Sequence, residues 1–100
     1  MQKKVEDFLT VNQLHCGEVT RYLDLVSEIG EVGKELIKGS DYGSKPYQQT
    51  EALQEELGDC LFSLLALCCE ANVNAEEALQ AVLQKYEERL TRKGDAGSGR

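Results

Sequence analysis

Residues 60–69 read CLFSLLALCC, an apolar run interrupted only by Ser63. It is too short to span a bilayer, which takes about 20 apolar residues. As part of a helix it has no polar face, and such a helix must be covered on every side. A chain of 100 residues buries only about two-thirds of its unfolded surface, so four helices of this size do not easily enclose one of their own. The run therefore predicts an all-α, four-helix bundle-like fold that self-associates through its apolar third helix, as a homodimer or a dimer of dimers.

The rest of the chain agrees with four helices. Val5, Phe8, Leu9 and Asn12 mark a first one, with a break near Cys16-Gly17. Leu23, Val26, Ile29, Val32, Leu36 and Ile37 form the stripe of a second. Lys34 and Lys38 crowd its C-terminal end, and Gly39 reads as its stop. The segment KGSDYGSKPYQQT, with the single proline Pro46, is a loop. Thr50 is the expected cap of the third helix, which runs to about Ala71. Asn74 to Glu77 has the form of a capping box, followed by a stripe through Ala75, Ala78, Leu79, Val82, Leu83, Tyr86 and Leu90. Residues 1–93 are thus expected to be one helical domain, and the Gly/Ser-containing 94–100 a flexible tail.

With 11 Lys+Arg against 18 Asp+Glu the net charge is −7. This balance disfavours nucleic acid as a general partner, because neutralising phosphates needs a basic face, and no such partner is expected. Cys16, Cys60, Cys68 and Cys69 form no CxxC and no zinc spacing with the lone His15. Three of them belong to the apolar run and read as buried, reduced thiols acting as small hydrophobes. A reducing, cytoplasmic location is expected, with no membrane partner.

Within this helical frame one word is written twice: EIGE at 28–31 and ELGD at 56–59. Residues three apart share a helix face, so Glu28 pairs with Glu31 and Glu56 with Asp59. Taken singly, each pair is an ordinary solvated face. The glycines inside them are not ordinary. Gly30, Gly33 and Gly58 each cost about 1 kcal/mol against alanine, which close approach of a helix or a ligand would offset.

If the two helices pack as an antiparallel hairpin, four carboxylates meet in one small volume. At about 5 Å and an effective dielectric of 20, each repulsion is roughly 3 kcal/mol. A hard divalent cation, Mg²⁺ or Mn²⁺, relieves it and suits an all-oxygen donor set.

Glu-x-x-Glu on one helix and Glu-x-x-Asp on the next resemble the all-α nucleoside triphosphate pyrophosphohydrolases, the MazG-like branch above all. The likeness runs from LVSEIGEVGKEL through EELGDCLFSLLALC to KYEERL. Ser27 stands where that family often has a further acid. The resemblance implies Mg²⁺-dependent cleavage of a (d)NTP at the α–β bond to (d)NMP and pyrophosphate, in house-cleaning of nucleotide pools. It implies that Glu28, Glu31, Glu56 and Asp59 bind metal, with Glu31 or Glu55 orienting the attacking water. It also implies that Lys85 and Arg89, four apart on the last helix, contact phosphate. The related phosphoribosyl-ATP pyrophosphatases usually carry a histidine where this chain has Ser63, and dimeric dUTPases are generally longer. The alternative from another class is a non-catalytic helical interaction module whose acids are a solvated seam. His15 reads as structural, and Tyr42 and Tyr47 as loop packing.

Overall fold

The computed structural model of the chain describes residues 1–93, and the 94–100 tail lies outside the described residues. The described residues form four helices: α1 Gln2–Val11, α2 Glu18–Gly39, α3 Leu53–Glu70 and α4 Ala75–Lys93. Among the described residues there is no strand. The all-α expectation holds, and none of the described helices is long and apolar enough to cross a membrane.

α2 begins at Gly17, whose φ of 91° lies where side chains are strained. Its N–H, and that of Cys16, donate to the Glu70 carboxylate at 3.1 and 2.7 Å. Glu70 thereby places a negative charge at the N-terminus of α2, where the helix dipole favours it. The Cys16 N–H, helped by His15 and Gly17, holds its carboxyl below the usual range against the opposing effect of desolvation. His15 lies between two helices, with Nδ1 at 3.0 Å from Glu70 and Nε2 at 3.2 Å from Thr10 Oγ1. The ring is a structural tie between α1, the start of α2 and the end of α3.

At its other end α2 stops at Gly39, as expected, with Ser40 as cap. The loop then folds back, and Gln48 N–H donates to the Gly39 carbonyl at 2.8 Å. Thr50 does not cap α3, which starts after Ala52 with no side-chain cap. Its hydroxyl donates instead to Glu35 Oε1 at 2.8 Å, spending the loop's capping residue on a tie between helices.

α2 and α3 form the main packing, and α1 lies across α3. The buried apolar residues are Leu9, Leu53, Leu65 and Ala66, with Ser63 and Arg21 buried among them. Phe8 and Phe62 meet edge to face at 5.9 Å. Gln2 ties α1 to the start of α4, accepting from Ala75 N–H at 2.7 Å and donating to the Val73 carbonyl at 2.8 Å. Asn74 caps α4 by accepting from Glu77 N–H at 2.9 Å, one half of the expected capping box.

α4 itself packs only marginally on the other helices. The Cα radius of gyration is 16.9 Å, against about 13 Å for a compact domain of this length. Leu57, Leu61 and Leu64 on α3 and Leu79, Leu83 and Leu90 on α4 are all near half exposed. The apolar third helix is thus left partly bare by its own chain. Cys60, Cys68 and Cys69 are accordingly half-buried rather than buried, Cys16 is exposed, and all four are free thiols.

One expectation is overturned within the chain. A Cβ added at Gly30, Gly33 or Gly58 would meet nothing within 4 Å, so these glycines do not serve packing of α2 on α3. The glycine in contact is Gly39, where a Cβ would stand 2.5 Å from the Tyr47 ring and 2.8 Å from the Gln48 carbonyl oxygen.

Candidate metal centre

The register of α2 on α3 follows from their cross-contacts. Glu35 meets Thr50 just before α3. Arg21 lies over Phe62, and Gly17 meets Glu70. As residue number rises on α2 it falls on α3, so the helices run antiparallel. Glu28 then stands opposite the first two turns of α3. One carboxylate oxygen each from Glu28, Glu56 and Asp59 lie within 4.8 Å of one another. Glu28 and Glu56 are half-buried and Asp59 is exposed.

The electrostatics match that crowding. Burial pushes the Glu56 carboxyl above its ordinary range, and the charges of Asp59, Glu31, Glu28 and Glu35 push it further. Burial likewise raises the neighbouring Cys60 thiol, with Glu28, Asp59 and Glu56 adding to it. Glu35 differs: the Thr50 hydroxyl keeps its carboxyl below the usual range, with Lys38 and Lys34 assisting.

Of the residues singled out in the sequence, three come together and the others stand apart from that group. Glu31 lies one turn further along α2, 3.9 Å from Lys34, yet its charge still reaches Glu56. Glu55 is exposed in the first turn of α3. Lys85 and Arg89 stand on α4 over the ring of Tyr86, at 5.4 and 5.9 Å from its centroid.

One residue near the centre escapes a reading by motif. Arg21, 8% exposed, donates through Nη2 to the Leu14 carbonyl at 2.6 Å. Its Nη1 lies 3.5 Å from Asp24, and its guanidinium is 6.0 Å from the centroid of Phe62. Its buried Nε has no acceptor, and an unmet donor of this kind costs about 1–3 kcal/mol. The available signal was a cation two turns before Glu28 on the same helix.

Three carboxylates at this separation repel, and the raised Glu56 carboxyl registers the repulsion. An all-oxygen, acidic donor set fits a hard divalent cation, so Glu28, Glu56 and Asp59 could hold a metal ion.

Comparison with known proteins gives the family. Residues 17–92 match the family model described as the MazG nucleotide pyrophosphohydrolase domain. YpjD of Bacillus subtilis (strain 168), described as uncharacterized, is 37% identical over 76 residues, covering 69% of this chain and 67% of YpjD. The crystal structure of YpjD, there described as a candidate pyrophosphatase, superposes with a TM-score of 0.72 at 28% identity. That match covers 88% of this chain and 90% of the other. With the family match extending over both acid pairs, the chain belongs to the MazG nucleotide pyrophosphohydrolases.

Proposed function

We propose that the chain hydrolyses nucleoside triphosphates, (d)NTP, between the α and β phosphorus atoms, releasing (d)NMP and pyrophosphate, with Mg²⁺ or Mn²⁺ as cofactor. The observation that carries this reading is the meeting of Glu28, Glu56 and Asp59 from two antiparallel helices, with oxygens within 4.8 Å of one another. These three residues hold the ion. A bound divalent cation supplies neutralising charge for a polyphosphate and Lewis acidity toward water.

The chain's own side chains do the rest. Glu31, close enough to act on Glu56 but outside the trio, orients the attacking water and takes its proton. Glu55, exposed on the neighbouring turn, is the lesser candidate for that role. Lys85 and Arg89, gathered on the Tyr86 ring, offer positive charge to the triphosphate in a protein of net charge −7. Positioning and charge stabilisation carry most of phosphoryl-group chemistry, so no covalent nucleophile is needed. Clearing unwanted nucleotides from the cytoplasmic pool is the role that such a reaction suits. A second copy of the chain, packed on the half-exposed leucines of α3 and α4, completes the molecule.

The test is release of pyrophosphate and monophosphate from a panel of ribo- and deoxyribonucleoside triphosphates, with Mg²⁺ and with EDTA. Metal-dependent release is expected. Silence across the panel from folded protein in Mg²⁺ would overturn the reading and leave the interaction module.

A further inference from the structure

Beside the carboxylates, between the first half of α2 and the middle of α3, lies a cavity of about 340 Å³ lined by Arg21, Asp24, Glu28, Asp59, Phe62 and Ser63. It shares Glu28 and Asp59 with the candidate metal centre, so a substrate held there by its phosphates has this space next to it. The volume is at the small end of the range for ligand sites, about 300–1,000 Å³.

The wall away from the metal-candidate carboxylates is built differently. Arg21 is more than nine-tenths buried, fixed by the Leu14 carbonyl and set over the Phe62 ring. Its Nε still lacks an acceptor. Asp24, half exposed, approaches it at 3.5 Å, a distance too long for a strong pair. The unmet Nε is closed off from solvent, but the weakly paired Nη1 and the half-exposed Asp24 carboxylate stand side by side on this wall, a donor and an acceptor neither of which is fully used.

A further phosphate suits this wall poorly. Arg21 and Asp24 cancel in charge, and the Asp24 carboxylate would repel an anion entering past it. A neutral fragment with an N–H beside an acceptor suits it well, because a carboxylate only accepts and a guanidinium only donates. The hydrogen-bonding edge of a nucleobase has that character.

We propose that this cavity receives the base of the nucleoside triphosphate, with Asp24 accepting from an N–H on the base edge and Arg21 donating to the adjacent acceptor. The proposal rests on the triphosphate reading above and adds to it the residues that choose the base. Sites of this type discriminate strongly, because a wrong base leaves their polar groups unpaired.

The experiment compares kcat/KM for dATP, dCTP, dGTP and dTTP in the wild type and in Asp24→Asn, whose folding is checked by its melting curve. Wild type should prefer one base by at least about tenfold. Asp24→Asn should reduce or reorder that preference by a similar factor, chiefly through KM. A wild type that is active without base preference overturns the proposal alone, and so does a variant that keeps the ranking. A wild type inactive on all four overturns the triphosphate reading and this proposal with it. A second measurement needs no turnover. Free deoxynucleosides added to metal-free protein should shift the backbone amide resonances of Asp24, Phe62 and Ser63, most for the preferred base. Unmoved resonances at these residues would overturn the assignment.

Discussion

Desolvation and the charges of Asp59, Glu31, Glu28 and Glu35 all push the Glu56 carboxyl the same way, above the ordinary carboxylate range. A carboxyl raised in the folded state stabilises the fold below its unfolded pKa, and that contribution is lost as pH rises through the folded value. Without metal, the protein should therefore weaken as the pH climbs from about 4.5 toward neutrality. Glu56→Gln removes the charge. It should melt at or above the wild type in EDTA at neutral pH, with a flatter dependence on pH. In Mg²⁺ the order should reverse. Linkage at 100 times Kd gives about 2.7 kcal/mol, roughly 10–20 °C for a domain of this size, and the variant forfeits most of it. Its turnover should fall by about 100-fold or more, as when a charge-stabilising group is lost. Equal Mg²⁺ responses in the two proteins would remove Glu56 from the centre. At this scale the two acid pairs were legible, because i,i+3 spacing alone puts them on helix faces. That Glu28, Glu56 and Asp59 converge while Glu31 turns toward Lys34 depends on the register between helices, which spacing along one helix does not contain. Arg21 was illegible for the same reason: its partners Leu14 and Phe62 belong to no local pattern.

Among the elements, the hairpin of α2 and α3 positions the carboxylates, and its turn is held where the returning loop crosses the end of α2. There Gly39 faces the Tyr47 ring and the Gln48 carbonyl. The ring can shift, but the carbonyl belongs to backbone bonded back to Gly39. Gly39→Ala should therefore destabilise by about 1–3 kcal/mol, the usual cost of overpacking. Gly30→Ala meets open space and should be neutral or stabilising by up to about 1 kcal/mol, since alanine is the better helix former. Urea denaturation of the two variants checks this. A loss at Gly30 as large as that at Gly39 would mean that something outside the chain fills the space beside it. Sequence reasoning placed all of these glycines in or at the end of helices and expected close approach at Gly30, Gly33 and Gly58, whereas the contact made within the chain is at Gly39. A glycine's energetic cost is visible in sequence, whereas the neighbour that justifies it is set by how a loop returns. Thr50 teaches the same lesson, since its hydroxyl serves Glu35 across the hairpin instead of its own helix.

For the whole molecule, the accessible surface is 7441 Å², against about 5,700 Å² for a compact protein of 11.1 kDa. The excess coincides with leucines left half bare along α3 and with an α4 that scarcely touches the other helices. A lone chain of this shape buries less apolar surface against the entropy of ordering it than a compact one does. A second copy laid along α3 and α4 would bury these leucines at the cost of one association, and obligate homodimers typically bury more than about 2,000 Å² in total. The proteins that associate in this way often have no stable folded monomer. Sedimentation equilibrium should accordingly give a mass of at least twice 11.1 kDa, and Leu61→Glu, at a position 43% exposed in one chain, should lower both that mass and the melting temperature together. A substitution that merely exchanged one solvated side chain for another would move neither. A wild type that sediments as a monomer, with a scattering radius near the compact value of about 13 Å, would instead mean that α4 folds onto its own α3 in solution. The chain would then cover its apolar helix without a partner.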